Sequence, residues 1–278
     1  MYSIQNASFD QVKTILDWAR QEGWNPGLDD AKSFQLADPK GFFIGLLDGK
    51  AVAAISNVNY ADELFFLGLY IVHPEYRGQG FGFKIWQHAL SYSRNINCGL
   101  DGVVAQQANY MKSGFKLAYR NIRYVLKKTQ PNSFCSSELV SSNNFPLISL
   151  LEYDKKLFPA PREKWLMAWI LNHLTLVYRK GDQVMGYGVI RRCYDGYKVG
   201  PLLADDQLIA EIIFQGLCAT VEENSAIFLD IPEPNQQALK LVENFKMQPV
   251  FETARMYTKF SPTINLDKVF GITTFELG

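Results

Sequence analysis

Twelve residues, Ile71 to Gly82 (IVHPEYRGQGFG), combine an apolar run, a proline, an arginine and glycines at 78, 80 and 82. A strand running into such a turn and on into a helix aims unpaired backbone N–H groups at one point, and the helix N-terminus adds partial positive charge there. That point suits a phosphate. Gly78, Gly80 and Gly82 let the backbone approach a ligand directly, Arg77 can neutralise an oxygen the amides do not reach, and Lys84 can reach a peripheral phosphate. Two familiar phosphate patterns do not fit. A P-loop needs Gly-Lys followed by Ser or Thr, and here Phe83 separates Gly82 from Lys84. A dinucleotide loop needs a third glycine where Phe83 stands; Asp101 lies at a suitable distance for a ribose, but an antiparallel hairpin precedes the loop, and such folds open with a strand leading straight into it.

The elements around this loop are legible from periodicity. Ser8 and Gln11 have capping-box spacing, and Val12, Ile15, Leu16 and Ala19 then recur at helical spacing to about Arg20. After the irregular stretch EGWNPGLDD, a short helix is expected over Ala31 to Ala37. Two β-rich runs then meet at the Asp48-Gly49 turn. Leu64 to Val72 is predicted as the strand entering the glycine loop, and Phe83 to Ser93 as the helix leaving it. A strand near Leu100 to Val104, a short helix near Asn109 to Lys112 and a strand pair from Phe115 to Leu126 complete a first unit. Lys127 to Pro146 is rich in Ser, Asn and Pro without sustained periodicity and reads as a linker. The second half then repeats the order: helix, hairpin, strand, helix, strand (AIFLDI), helix (NQQALKLVENF), strand (ARMYTKF). The alternating segment VFGITTFELG is expected to close the second sheet. The expected architecture is a mixed α/β (α+β) chain of two tandem domains, each a mixed, mostly antiparallel twisted sheet flanked by helices: residues 1–128, a linker over 129–146, and residues 147–278.

Composition narrows the class. Across 278 residues, 47% hydrophobic and 14% aromatic content supports a folded chain with sizeable cores. Lys plus Arg equal Asp plus Glu at 28 each, so no global field draws the protein to nucleic acid or an anionic membrane. Cys98, Cys135, Cys193 and Cys218 are dispersed, without the spacing of a zinc site or a disulfide framework, so no metal is expected. The N-terminus shows no secretory leader and no apolar run is long enough to span a bilayer, which together suggest a cytoplasmic protein. Oligomeric state is not legible.

The loop YIVHPEYRGQGFG resembles the signature of the GNAT superfamily of acyl-CoA N-acyltransferases, in which Gln or Arg is followed by two residues, Gly, one residue, then Gly or Ala; Arg77, Gly80 and Gly82 satisfy it. About thirty residues on, NYMKSGF resembles the second signature of the same superfamily, with Tyr110, Gly114 and Phe115 in place. The resemblance covers Tyr2 to about Leu126 at motif level. In the second half it is one of topology: GPLLADD stands where the glycine loop should be, and Asp205 and Asp206 would set carboxylates against a pyrophosphate, so that half is expected to be a degenerate domain that does not take CoA in the usual way.

The resemblance implies acetyl-CoA as cosubstrate and an amine of a small molecule or protein lysine as acceptor, joined by direct attack in a ternary complex. Arg77, Gly78, Gln79, Gly80, Phe81 and Gly82 would hold the pyrophosphate, Ile71 and Val72 the pantetheine arm, and Asn109 would also serve the cofactor. Tyr110 would be the general acid for the thiolate. The general base is open. Members of the superfamily often use a carboxylate in mid-strand before the loop, but here that stretch is LFFLGLY; Glu63, with Asp62 and Asp101 as alternatives, is the nearest candidate, and a water chain could replace them all. EGWNPGLDD lies where the superfamily places its acceptor loop, with Trp24 as an aromatic wall and Glu22, Asp29 and Asp30 as charges for a cationic amine. The competing function is a non-catalytic acyl-CoA-sensing or protein-interaction module. A second domain that completes a shared sheet or closes the acceptor cleft fits either.

Overall fold

The computed structural model of the chain describes residues 1–127 and 136–278. The first half runs β1 (Tyr2–Asn6), α1 (Phe9–Gln21), α2 (Asp30–Ala37), β2 (Phe42–Leu47), β3 (Lys50–Tyr60), β4 (Leu64–Val72), α3 (Phe81–Tyr92), β5 (Cys98–Val103), α4 (Gln107–Lys112) and β6 (Lys116–Leu126). The second runs β7 (Leu139–Ser141), α5 (Leu147–Asp154), α6 (Glu163–Asn172), β8 (Leu174–Lys180), β9 (Gln183–Arg192), β10 (Tyr197–Ala204), α7 (Gln207–Cys218), β11 (Ile227–Pro232), α8 (Gln236–Asn244), β12 (Gln248–Tyr257) and β13 (Val269–Gly271). The Ser8–Gln11 capping box forms in both directions. The helix after the glycine loop starts at Phe81, two residues before its predicted start, because Gly80 caps it in a left-handed conformation. Residues 129–135 of the predicted linker lie outside the described residues; the rest of that stretch carries β7, which pairs with β8.

All the strands among the described residues join one sheet. Its order is β1-β2-β3-β4-β5-β12-β6-β11-β10-β9-β8-β7, with β13 paired to β10. This corrects the expectation that Phe115–Leu126 completes the first half by itself: the segment is a single strand, β6, and it lies between β11 and β12. The halves exchange their last long strands, β12 pairing with β5 of the first half and β6 with β11 of the second.

Two buried ion pairs explain why the exchange is specific. Asp101 on β5 sits opposite Arg255 on β12 and accepts two hydrogen bonds from it, at 2.7 and 2.6 Å, and a third from Asn121 on β6 at 2.8 Å. Asp230 on β11 sits opposite Arg123 on β6 and accepts two, at 2.6 and 2.7 Å. The same pair is thus repeated about the β6–β12 junction. Burial opposes both arginine charges, but the paired carboxylates more than offset it and raise each guanidinium above its usual value. A third pair, Arg191 on β9 with Asp30 on α2 at 3.1 Å, ties a second-half strand to a first-half helix.

Apolar packing crosses the same boundary. One core cluster contains Phe34 and Phe66 from the first half with Trp169, Phe158 and Leu277 from the second. Two further clusters gather around Trp86, Phe65 and Phe115 and around Phe214, Leu229 and Leu241, the first including Ala254 and Met256 of the exchanged β12 and the second packed by Tyr124 and Leu126 of β6. Asp101→Asn, which leaves Arg255 as an uncompensated buried charge, is expected to cost about 3–5 kcal/mol in denaturant unfolding. Calorimetric melting should give one transition in both proteins; two separately shifting transitions would contradict a shared sheet.

Candidate active site

The site begins where β4 leaves β5. Their parallel pairing runs from Phe65 opposite Cys98 to Leu67 opposite Leu100 and stops. Beyond it β4 carries a bulge: Gly68 opposes Ser56 and Ile71 opposes Ala54, so Leu69 and Tyr70 face Ile55 alone, and Leu69 takes a φ of 49°. A bulge bends its strand and interrupts the ladder, and the two strands diverge around a cleft of about 680 Å³. Gly68 to Val72 of β4 line this cleft, and among the described residues no strand pairs with them on the β5 side.

At one end lies the glycine loop. Gly78 and Gly80 have φ of 76° and 83°, and a side chain at either would point into open space. That conformation favours glycine, and Gly80, which lines the cleft, is the N-cap of α3, so the unpaired amides of the first helical turn lie beside it. Gly82 is closed on its other side by Tyr70, whose hydroxyl would lie 2.6 Å from an added Cβ. Arg77 lines the cleft, donates from Nε to the Val72 carbonyl at 2.9 Å and pairs with Glu22. Three of its five N–H donors remain for a ligand. Such a cradle fits the pyrophosphate of a coenzyme A thioester, and the diverging strands fit its extended arm.

Tyr110 forms part of the floor. It is 8% exposed and stacks on Trp86 at 5.5 Å between ring centroids. Burial, reinforced by Tyr70, pushes its phenol up to about 12, so it is a protonated donor at neutral pH. Gly102 is required beneath it, because a Cβ there would collide with the Tyr110 ring.

Other predicted residues fall elsewhere. Ile71 and Val72 line the cleft, whereas the Gln79 amide turns back to the Glu75 carbonyl at 3.1 Å and Phe81 packs on Tyr2. Asn109 is exposed on α4, bonded to Gln106 and Lys112, and does not line the cleft. Glu63 requires correction: it is exposed in the β3–β4 turn, and at about 3.3 Å per residue the strand carries it roughly 25 Å from Ile71. Asp29 is exposed at the N-terminus of α2, and the Asp30 carboxylate is taken up by Arg191 and the Gly27 amide. Trp24 and Glu22 from the same loop do line the cleft.

Sequence reasoning missed the opposite wall. Phe251 and Thr253 come from β12, and Phe275 and Glu276 from the segment after β13, all from the second half. In that half the equivalent divergence, after Val199 opposite Leu229, is filled. β13 pairs with Leu202 and Leu203 of β10, and the Ile272 amide donates to the Asp230 carbonyl on β11 at 2.8 Å. Asp205 is bonded to Tyr153 and Lys268, and Asp206 caps α7. Among the described residues no group of three or more His, Cys, Asp or Glu could hold a metal ion, and no helix is long and apolar enough to cross a membrane.

Comparison with known proteins matches both halves. Residues 9–115 fit the acetyltransferase (GNAT) family and residues 150–271 an acetyltransferase (GNAT) domain. Over 280 residues the chain is 30% identical to the holothin acyltransferase of Pseudoalteromonas sp. (strain SANK 73390), spanning 100% of this chain and 95% of that one. A crystal structure of a candidate acetyltransferase from Pyrococcus horikoshii superposes with a TM-score of 0.84 at 24% identity, over 100% of this chain and 96% of the other. A tandem GNAT protein from the clavulanic acid biosynthesis pathway superposes with a TM-score of 0.64 at 12% identity, over 95% and 100%. These two likenesses concern the fold.

Gly80→Val forces a β-branched residue into a left-handed conformation at a position that lines the cleft. It is expected to weaken acetyl-CoA binding at least about tenfold with an unchanged circular dichroism spectrum; undiminished affinity would remove the ligand from this loop.

Proposed function

The chain belongs to the acetyltransferase (GNAT) family, and we propose that it moves the acetyl group of acetyl-CoA to an amine of a small molecule, through a ternary complex in the first-half cleft. The observation that carries this reading is the alignment, in one cleft, of the glycine cradle, the free edge of β4 and the buried phenol of Tyr110. Amides between Arg77 and Gly82 hold the pyrophosphate, with the charge of Arg77 beside them. The pantetheine arm extends the sheet along Tyr70 to Val72, as an added strand would. The thioester then lies near the bulge, where a backbone amide close to Ile71 stabilises the tetrahedral oxyanion. Tyr110 protonates the departing thiolate.

The aromatic lining of the cleft supports a small acceptor over a protein lysine. Trp24, Phe251 and Phe275 line the cleft, a lining suited to a compact, partly apolar ligand. Holothin, the acceptor in the relative's name, is the first compound to test. The second half serves this site as a wall and takes no CoA of its own, because its strand divergence is occupied by β13.

Tyr110→Phe is expected to lower kcat by about 10²-fold or more while leaving acetyl-CoA affinity within about twofold; equal activity would remove the acid role. With the phenol pushed up to about 12, the wild-type rate should show no loss from phenol ionisation between about pH 7 and pH 10. Tight acetyl-CoA binding with no turnover of any amine would favour a sensing module instead.

A further inference from the structure

Glu276 is the anomaly of the cleft. It is 4% exposed and lines the cleft, yet its Oε2 is sealed from solvent without a hydrogen-bond partner. Thr253, 2% exposed and also lining the cleft, has a hydroxyl in the same condition. Buried polar atoms are nearly always satisfied, and leaving them without partners is costly. Arg123, Arg191 and Lys198 act on Glu276 electrostatically, but none donates a hydrogen bond to its Oε2: Arg123 is held by Asp230, Lys198 lies 3.4 Å from the Trp24 carbonyl, and Arg191 bonds Asp30 through Nε while its two Nη atoms are themselves without a partner. An ammonium or amine that enters the cleft and displaces the side chains covering these two atoms would supply what the carboxylate and hydroxyl lack.

The placement is also the right one. The backbone of Glu276 rests on β4 at Gly68, so closely that a Cβ there would collide with the Glu276 carbonyl. Gly68 follows the last β4–β5 pair and adjoins the bulge at Leu69 and Tyr70. The segment is fixed: Thr274 Oγ1 accepts from the amides of Glu276 and Leu277 at 3.2 and 2.9 Å, and the Tyr60 hydroxyl donates to the Leu277 carbonyl at 2.9 Å. Such rigidity holds a functional group in place before the ligand arrives.

We propose that Glu276, assisted by Thr253, receives the acceptor's amino group and takes its proton, so that the second half supplies the base for a reaction whose acyl donor is bound by the first. This rests on the reading of the cleft given above. The first ammonium proton passes to Glu276 and on to solvent. The nitrogen forms a bond to the acyl carbon, the C–S bond breaks, and the thiolate takes the Tyr110 proton. The second proton, released as the amide forms, restores the phenol through water.

The test uses the full chain, its Glu276→Gln and Thr253→Val variants, acetyl-CoA as donor, and holothin, benzylamine and tryptamine as acceptors. Glu276→Gln should keep acetyl-CoA affinity within about twofold and lose about 10²-fold or more in kcat/KM for the amines. It should also lose the wild-type preference for benzylamine over benzyl alcohol as a ligand of the CoA complex. Thr253→Val, which deletes only a hydroxyl, should lose about tenfold and serves as the test if Glu276→Gln does not fold. Wild-type rates in both variants would overturn the proposal and leave the acetyltransferase reading standing. Acetyl-CoA binding by the wild type with no turnover of the three amines would overturn the amine subsite. Failure of the wild type to bind acetyl-CoA would overturn the reading beneath it.

Discussion

The exchange of β6 and β12 is the constraint on which the rest of the molecule depends. Each strand leaves its own half and is met by a buried charge on the other: Arg255 by Asp101, Arg123 by Asp230. Either arginine alone would be expensive to bury, and either aspartate alone would be nearly as bad. Repeating one pair about the β6–β12 junction therefore specifies register as well as partner, since a slip of one residue would turn each arginine to the opposite face of the sheet. The result is one continuous sheet in which the two halves are no longer independent units.

Opposite fates of two similar strand divergences follow from this. In the first half β4 and β5 part after Leu67 and Leu100, and the gap stays open as the cleft. In the second, β10 and β11 part after Val199 and Leu229, and β13 enters. The segment that fills one gap then continues to the other. Its backbone passes close to Gly200 with Ile272 and Thr273, and close to Gly68 with Glu276. A short chain of buried residues thus closes the second-half site and furnishes a wall of the first.

Much of this was legible in the sequence. The β4 strand ends at Leu64 and Val72 as the pattern predicts, the capping box forms, and the glycine loop lies at the mouth of the cleft with Tyr110 in its floor. Local signals carried these. The strand exchange was not legible, because β6 has the same alternation whether it pairs with β5 or with β11; only the long-range placement of Asp101 and Asp230 decides. Glu63 misled for a related reason: proximity along the chain to the loop says little when a strand separates the two by its whole length. Glu276, the lone acid in the segment VFGITTFELG, did offer a signal, since a charge in an otherwise apolar buried stretch requires a partner or a task. Asp30 shows the opposite error, a charge assigned to a ligand that Arg191 had already taken.

The central claim is that a chain with two similar halves keeps one working cleft, because the first half's gap is open and the second's is filled by β13. Titration calorimetry of the intact protein with acetyl-CoA tests it most directly. One saturating site per chain, abolished by Gly80→Val, is the expected result. Two sites per chain, or one that persists in the Gly80→Val protein, would contradict it.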